Sequence, residues 1–138
     1  LPSLQGALNC RKHPQLLGNL CMPTNLKIDY LEFPAEDFVA VQAFYEQAFE
    51  WNFTPYGSDY LAFTDGKMDG GFYRSPLQSS PAAGAVLVVF YAADLEATYR
   101  RVVSAGAKIV QEIFAFPGGR RFQFADPHGN ELAVWSER

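Results

Sequence analysis

Gly119-Arg120-Arg121-Phe122-Gln123-Phe124-Ala125-Asp126-Pro127-His128-Gly129-Asn130-Glu131-Leu132 decides how this chain folds. Arg121, Phe122, Gln123 and Phe124 alternate polar and apolar, the period of two that marks a half-buried strand. Asp-Pro-His-Gly-Asn is turn chemistry, because Asp, Pro, Gly and Asn each favour a tight bend for their own steric or hydrogen-bonding reason. A second strand leaves the turn and runs over 131–136. Upstream lie a strand at 108–116 and a helix opened by Asp94. That helix is striped by Leu95, Tyr99, Val102 and Val103 and closed by Gly106. A strand at 85–91 precedes it, so the order is β-α-β-β-β.

The same order occurs once before. A strand at 26–33 ends at Pro34, and a helix opens at Asp37 with Phe38, Val41, Tyr45, Ala48 and Phe49 on one face. Strands follow at 51–56, 60–64 and 70–74, with turn signals at Gly57-Ser58 and Asp65-Gly66. A Pro/Ser/Ala/Gly-rich linker at 75–84 joins the copies. The caps Asp37 and Asp94 stand 57 residues apart and the turn aspartates Asp65 and Asp126 stand 61 apart, an excess assigned to the loop around Pro117-Gly118. Each half alone leaves one sheet face uncovered, and the pair can close over it. The expected fold class is α+β: tandem β-α-β-β-β modules, about 26–74 and 85–136, forming one cup-shaped, mostly antiparallel sheet with helices on the outer face.

The 138 residues suffice for one domain with a substantial core, expected over 22–138. Net charge is −4 and no apolar run approaches the roughly 20 residues that span a bilayer, so neither nucleic acid nor membrane is an expected partner. Residues 1–21 contain Arg11, Lys12 and His13 without an acid, are broken by prolines and glycines, and read as an irregular arm. A natural start at Met22 is expected, with the arm an upstream extension. Cys10, His13 and Cys21 match no zinc-ligand spacing, and the absence of a cysteine framework suits a reducing, cytoplasmic setting.

The stretch quoted above, together with Asp37-Phe38, Phe44-Tyr45-Glu46 and Ala48-Phe49-Glu50-Trp51, resembles the vicinal-oxygen-chelate superfamily of glyoxalase I, bleomycin-resistance proteins and extradiol dioxygenases. The resemblance covers about 27–136. Glu50 departs from it, standing where relatives commonly place the glycine that ends the first helix, so a strained or longer exit is expected there. In metal-using relatives four strands each supply one His or Glu. Counting from the caps and turns carries those positions to Tyr30, Phe72, Leu87 and Ala133. None is a normal ligand for a hard divalent ion, so the expectation is no metal and no cofactor.

From those four positions, strand alternation sends Tyr30, Glu32, Tyr60, Ala62, Thr64, Phe72, Arg74, Leu87, Val89, Tyr91, Arg121, Gln123, Glu131, Ala133 and Trp135 into the cup. The complementary set, Leu31, Phe33, Leu61, Phe63, Val86, Val88, Phe90, Phe122, Phe124, Leu132 and Val134, belongs under the helices. Glu32 and Glu131 are the candidate acid or base groups, with ion pairs to Arg74 or Arg121 as the structural alternative. Tyr30, Tyr60, Tyr91 and Trp135 can stack on a planar or cationic ligand. His128 is assigned to its turn.

Three functions fit. The first is a metal-independent protein binding a small aromatic or cationic molecule, for resistance or sequestration. The second is a metal-independent lyase or isomerase using Glu32 or Glu131. The third is a closed interaction module. The resemblance implies a homodimer.

Overall fold

In each copy an aspartate starts the helix. Asp37 accepts from the Ala40 N–H at 3.0 Å and Asp94 from the Ala97 N–H at 3.0 Å, each satisfying a backbone donor that the first turn leaves free. A computed structural model describes residues 23–138. Cys10, His13, Cys21, Met22 and the expected arm lie outside the described residues.

The elements are β1 (Tyr30–Ala35), α1 (Phe38–Phe49), β2 (Asn52–Tyr56), β3 (Tyr60–Thr64), β4 (Asp69–Arg74), β5 (Val88–Tyr91), α2 (Leu95–Ser104), β6 (Lys108–Phe116), β7 (Gly119–Ala125) and β8 (Glu131–Ser136), with a 3-10 turn at Pro81–Ala83 in the linker. Hydrogen bonding divides the cup into two four-stranded sheets, β1-β4-β3-β2 and β5-β8-β7-β6. In both, the outer hairpins are antiparallel, and the first strand of the module pairs in parallel with its last.

Three features differ from the sequence reading by more than a single residue. β1 starts at Tyr30 and not at 26, because Lys27 N–H closes a turn on Thr24 O, and the strand continues through Pro34. Proline is tolerated there because β1 pairs only with β4. β5 is likewise shorter than 85–91, which leaves Val86 83% exposed instead of covered by a helix. The length excess of the second copy lies in its outer hairpin, where β6 and β7 have nine and seven residues against five and five in β2 and β3. Register shifts along β6 absorb the added residues.

The core lies on the helix side of both sheets. Phe33, Leu61, Phe63 and Phe72 of the first sheet and Phe122, Phe124, Leu132 and Val134 of the second join Val41, Phe44, Tyr45 and Ala48 of α1 and Leu95 and Val102 of α2. Parallel ring stacks run through it: Tyr45 on Trp51 at 4.3 Å, Trp51 on Phe63 at 4.1 Å, and Phe49 on Phe90 at 4.2 Å. The last of these joins α1 to β5, and each such pair adds about 0.5–1.5 kcal/mol beyond its buried area.

One buried polar network also joins the modules. Asp126 Oδ1 accepts the backbone N–H groups of His128, Gly129 and Asn130, while Oδ2 accepts the Tyr45 hydroxyl at 2.8 Å. Asn130, fully buried, donates to Pro34 O at 2.8 Å and accepts from Ser79 N–H at 2.9 Å. The Asp-Pro-His-Gly-Asn turn thereby holds α1, β1 and the linker together. Burial raises the Asp126 carboxyl above its ordinary pKa, although these donors act against the shift, and burial raises the Tyr45 phenol well above its ordinary value.

Glu50 ends α1 in the left-handed region at φ 59°, with its N–H on Glu46 O at 3.1 Å. The expected strain is present, since a β-carbon makes that conformation costly. Glu50→Gly is expected to stabilise the fold by about 0.5–1 kcal/mol, raising Tm by roughly 2–5 °C in a calorimetric scan. Tyr45→Phe removes a donor from buried Asp126 and is expected to cost about 1.5–3 kcal/mol. A carboxyl whose folded pKa is raised contributes stability that is present at low pH and lost as pH rises through the folded value. The Tyr45→Phe deficit should therefore be larger at pH 7 than at pH 4 in urea titrations.

Candidate functional site

The face opposite the helices is set by register. Glu32 pairs with Gly71, and Val89 pairs with Ala133, in equivalent parallel ladders. Gly71, not Phe72, is thus the β4 counterpart of Ala133. Phe72 is fully buried on the helix side, with its ring 5.7 Å from Phe33 and 5.6 Å from Tyr45. The reason is one residue in a turn. Asp65 N–H closes its turn on Met68 O, whereas Asp126 N–H closes on Asn130 O, so the β3–β4 connection is one residue shorter and every β4 side chain changes face. Arg74 leaves the cup for the same reason. It lies over the Phe38 ring at 4.5 Å and bonds Asp59 at 3.3 Å.

The corrected face of the first sheet carries a hydrogen-bonded chain. Tyr60 donates to Glu32 Oε2 at 2.9 Å, and the Tyr30 and Tyr60 hydroxyls are 2.7 Å apart. Because Tyr60 spends its proton on Glu32, Tyr30 is the donor of that second bond. Burial raises the Tyr30 phenol to about 12 and raises Tyr60 further, so both keep their protons at neutral pH. Tyr73 stands directly opposite Tyr60. Glu32 is exposed, and among the described residues no cation lies within ion-pair distance of it. Glu32 and Tyr73 line a hollow of about 350 Å³ with Pro34 and the linker residues Leu77, Ser79 and Ala85.

Gly71 makes this arrangement fit. A β-carbon there would come within 2.1 Å of the Tyr60 hydroxyl and 2.3 Å of its ring, so the ring occupies the volume that any side chain at 71 would need.

The second sheet carries another chain. Arg121 Nη2 donates to Gln123 Oε1 at 2.8 Å, and Gln123 Nε2 donates to Glu131 Oε2 at 2.7 Å. The ion pair weighed for Arg121 and Glu131 is therefore replaced by a bridging amide. Trp135 is half-buried with its ring edge-on to Tyr91 at 5.4 Å, Tyr91 is 52% exposed and donates to Glu137, and Ala133 is fully buried. Leu87 is half-buried just before β5. His128 bonds Leu77 O through Nε2 at 2.7 Å, consistent with a place in the turn.

The metal-ligand positions of metal-using relatives fall at Tyr30, Gly71, Leu87 and Ala133. They offer one phenol, already hydrogen-bonded and protonated, and no carboxylate or imidazole. Among the described residues no three His, Cys, Asp or Glu side chains converge on a point that could hold an ion. This donor set does not fit a divalent metal. Tyr73, Gly71 and the linker residues escaped the sequence reading. Counting the residues between Asp65 and Asp69 against those between Asp126 and Glu131 is the signal that would have found the first two.

Two β-α-β-β-β modules, each with a mixed sheet and one helix, define an α+β fold of the glyoxalase type. The chain belongs to the Glyoxalase/Bleomycin resistance protein/Dioxygenase superfamily, whose family model matches residues 27–134. Similar solved structures include a glyoxalase-related enzyme from Fulvimarina pelagi, with TM-score 0.68 and 15% identity over 80% of this chain and 88% of that one. A glyoxalase/bleomycin resistance protein/dioxygenase family enzyme from Burkholderia phytofirmans PsJN has TM-score 0.67 and 17% identity, covering 80% and 100%. A lactoylglutathione lyase from Agrobacterium tumefaciens has TM-score 0.62 and 21% identity, covering 83% and 95%. At these identities the likeness establishes the fold alone. No curated protein matches the sequence significantly. Among the described residues no helix is long and apolar enough to cross a membrane.

Gly71→Ala is expected to displace Tyr60 from Glu32 and to cost about 1–3 kcal/mol through overpacking against a buried ring. Chemical denaturation measures the loss. A crystal structure of the variant with Tyr60 unmoved would refute the account of Gly71.

Proposed function

We propose that the protein binds a small cationic or aromatic molecule on the cup face without a metal, serving sequestration or resistance and not turnover. The observation that carries this reading is the Glu32 carboxylate. It is held in place by a part-buried phenol chain, has no cation beside it among the described residues, and opens on a hollow walled by Tyr73. A fixed carboxylate next to an aromatic face attracts a cation by charge and by the ring quadrupole. The hollow, at about 350 Å³, lies at the small end of the volumes that drug-sized ligands occupy, roughly 300–1,000 Å³. The donor set at 30, 71, 87 and 133 supports metal independence, since binding of this kind asks nothing of an ion.

Sequestration also suits the hydrogen bonding. Tyr30 and Tyr60 are spent on orienting Glu32, so the site presents an anchored acceptor instead of a free acid and base in opposition. Benzyltrimethylammonium, which combines a permanent charge with a ring, is the probe. Isothermal titration is expected to show binding that weakens by about tenfold or more in Glu32→Gln, as loss of a charge-assisted contact implies. Tm should rise with probe concentration through linkage of binding to folding. Equal affinity in Glu32→Gln would end this reading.

A further inference from the structure

The hollow beside Glu32 is built more selectively than a site for any cation would need to be. Of the nine residues that line it, Tyr73 is the one aromatic, and none is a lysine or arginine. A quaternary ammonium has no N–H and is best held by several aromatic faces at once, so a single ring makes a poor cage for it. Glu32 offers a directional contact instead. Its Oε2 accepts the Tyr60 hydroxyl at 2.9 Å, which fixes the carboxylate and leaves Oε1 without a donor among the described residues.

The linker side of the hollow has few donors to give. The backbone N–H groups of Leu77, Ser79, Ala83, Gly84 and Ala85 are already bonded within the linker or to Asn130, which among the described residues leaves only that of Gln78. Gln78 spends its NH₂ on His128 O at 2.9 Å. The hydroxyls of Tyr73 and Ser79 can accept as well as donate. A hollow with most of its N–H groups spent and a carboxylate oxygen open favours a ligand that brings N–H groups of its own.

Leu77 adds shape. Its N–H bonds Ser75 Oγ at 3.1 Å and its C=O accepts from His128 Nε2 at 2.7 Å, while Gln78 donates back to His128. The backbone is thus clamped on both sides of a side chain that is 68% exposed. A lone exposed leucine is ordinary on a protein surface. One held in this way, on a hollow that also contains Tyr73, is a fixed apolar lip.

Resting on the cation reading of the Glu32 site, we propose that the site selects planar cations that carry N–H groups, an amidinium or guanidinium attached to an aromatic ring, over quaternary and primary ammonium ions. An N–H of the ligand donates to Glu32 Oε1, and its flat body lies against Tyr73 and Leu77. A delocalised planar cation is more weakly hydrated than an ammonium and presents its donors in a fork that matches a carboxylate. Both properties count at a site open to water.

Benzamidine, protonated at pH 7, is the probe, with benzyltrimethylammonium and benzylammonium as comparisons of equal charge and similar ring. Calorimetric affinity for benzamidinium is expected to exceed that for either comparison by about tenfold. In Glu32→Gln, Tyr60 keeps the amide oxygen and the NH₂ is left towards the ligand, so the preference for benzamidinium should vanish along with the affinity. Leu77→Ser is expected to weaken benzamidinium binding severalfold while Tm stays within about 2 °C, because the side chain is exposed. The proposal is overturned, with the cation site left standing, if either comparison binds as tightly as benzamidinium while remaining sensitive to Glu32→Gln, or if Leu77→Ser leaves benzamidinium affinity unaltered. Binding of none of the three, or equal affinity for all of them in wild type and Glu32→Gln, removes the cation site itself and this selectivity with it.

Discussion

The carboxylate of Asp126 organises more of this molecule than any other group. Three backbone N–H groups of its own turn and the Tyr45 hydroxyl converge on it, and the turn it shapes presents Asn130 to Pro34 and Ser79. A buried carboxylate is costly unless hydrogen-bonded, so the Asp-Pro-His-Gly-Asn turn requires the Tyr45 hydroxyl of α1 beside it. That requirement ties the first module to the second at a place where apolar packing alone would permit sliding. The stacked rings of Phe49 and Phe90 make a second tie of a different kind, broad in area and weak in direction.

With the modules held, both sheets turn their apolar faces to the helices and their mixed faces away. The mixed faces differ from each other in chemistry. On the first sheet, Gly71 leaves a space that the Tyr60 ring fills, and the phenol so placed orients Glu32. On the second, Ala133 occupies the equivalent position and Gln123 separates Arg121 from Glu131. A duplicated backbone thus carries a phenol–carboxylate chain on one half and a guanidinium–amide–carboxylate chain on the other. In the metal-using relatives these positions share one task, the holding of an ion. The four residues of this chain have no donor set for that task, and the adjacent strand positions carry the polar groups instead.

Much of the fold was legible in the chain. The caps Asp37 and Asp94, the helical stripes and the alternation across β7 and β8 are local signals, each produced by residues a few positions apart, and they appear as read except for Val103, which lies off the buried stripe of α2 at 45% exposure. Glu50 shows the same legibility in the negative: a side chain where the family resemblance implies a glycine stands at a positive φ. The misplacement of Phe72 and Arg74 shows where such reading stops. The alternation within 70–74 was correct, but its phase depended on the number of residues in the preceding turn, and a miscount of one inverted the whole strand.

The sequence by itself determined the duplication, the element order, the caps and the superfamily, because these follow from periodicity and from short motifs that bind their own backbone. Only the tertiary structure decided which side chains meet. Tyr30 reaches Tyr60 across 30 residues, Tyr45 reaches Asp126 across 81, and Asn130 reaches Pro34 across 96. Those contacts are made by strand register and module docking, which respond to single-residue differences in turn length and to the room that one glycine leaves. The polar character of the cup was therefore visible in the chain, and its wiring was not.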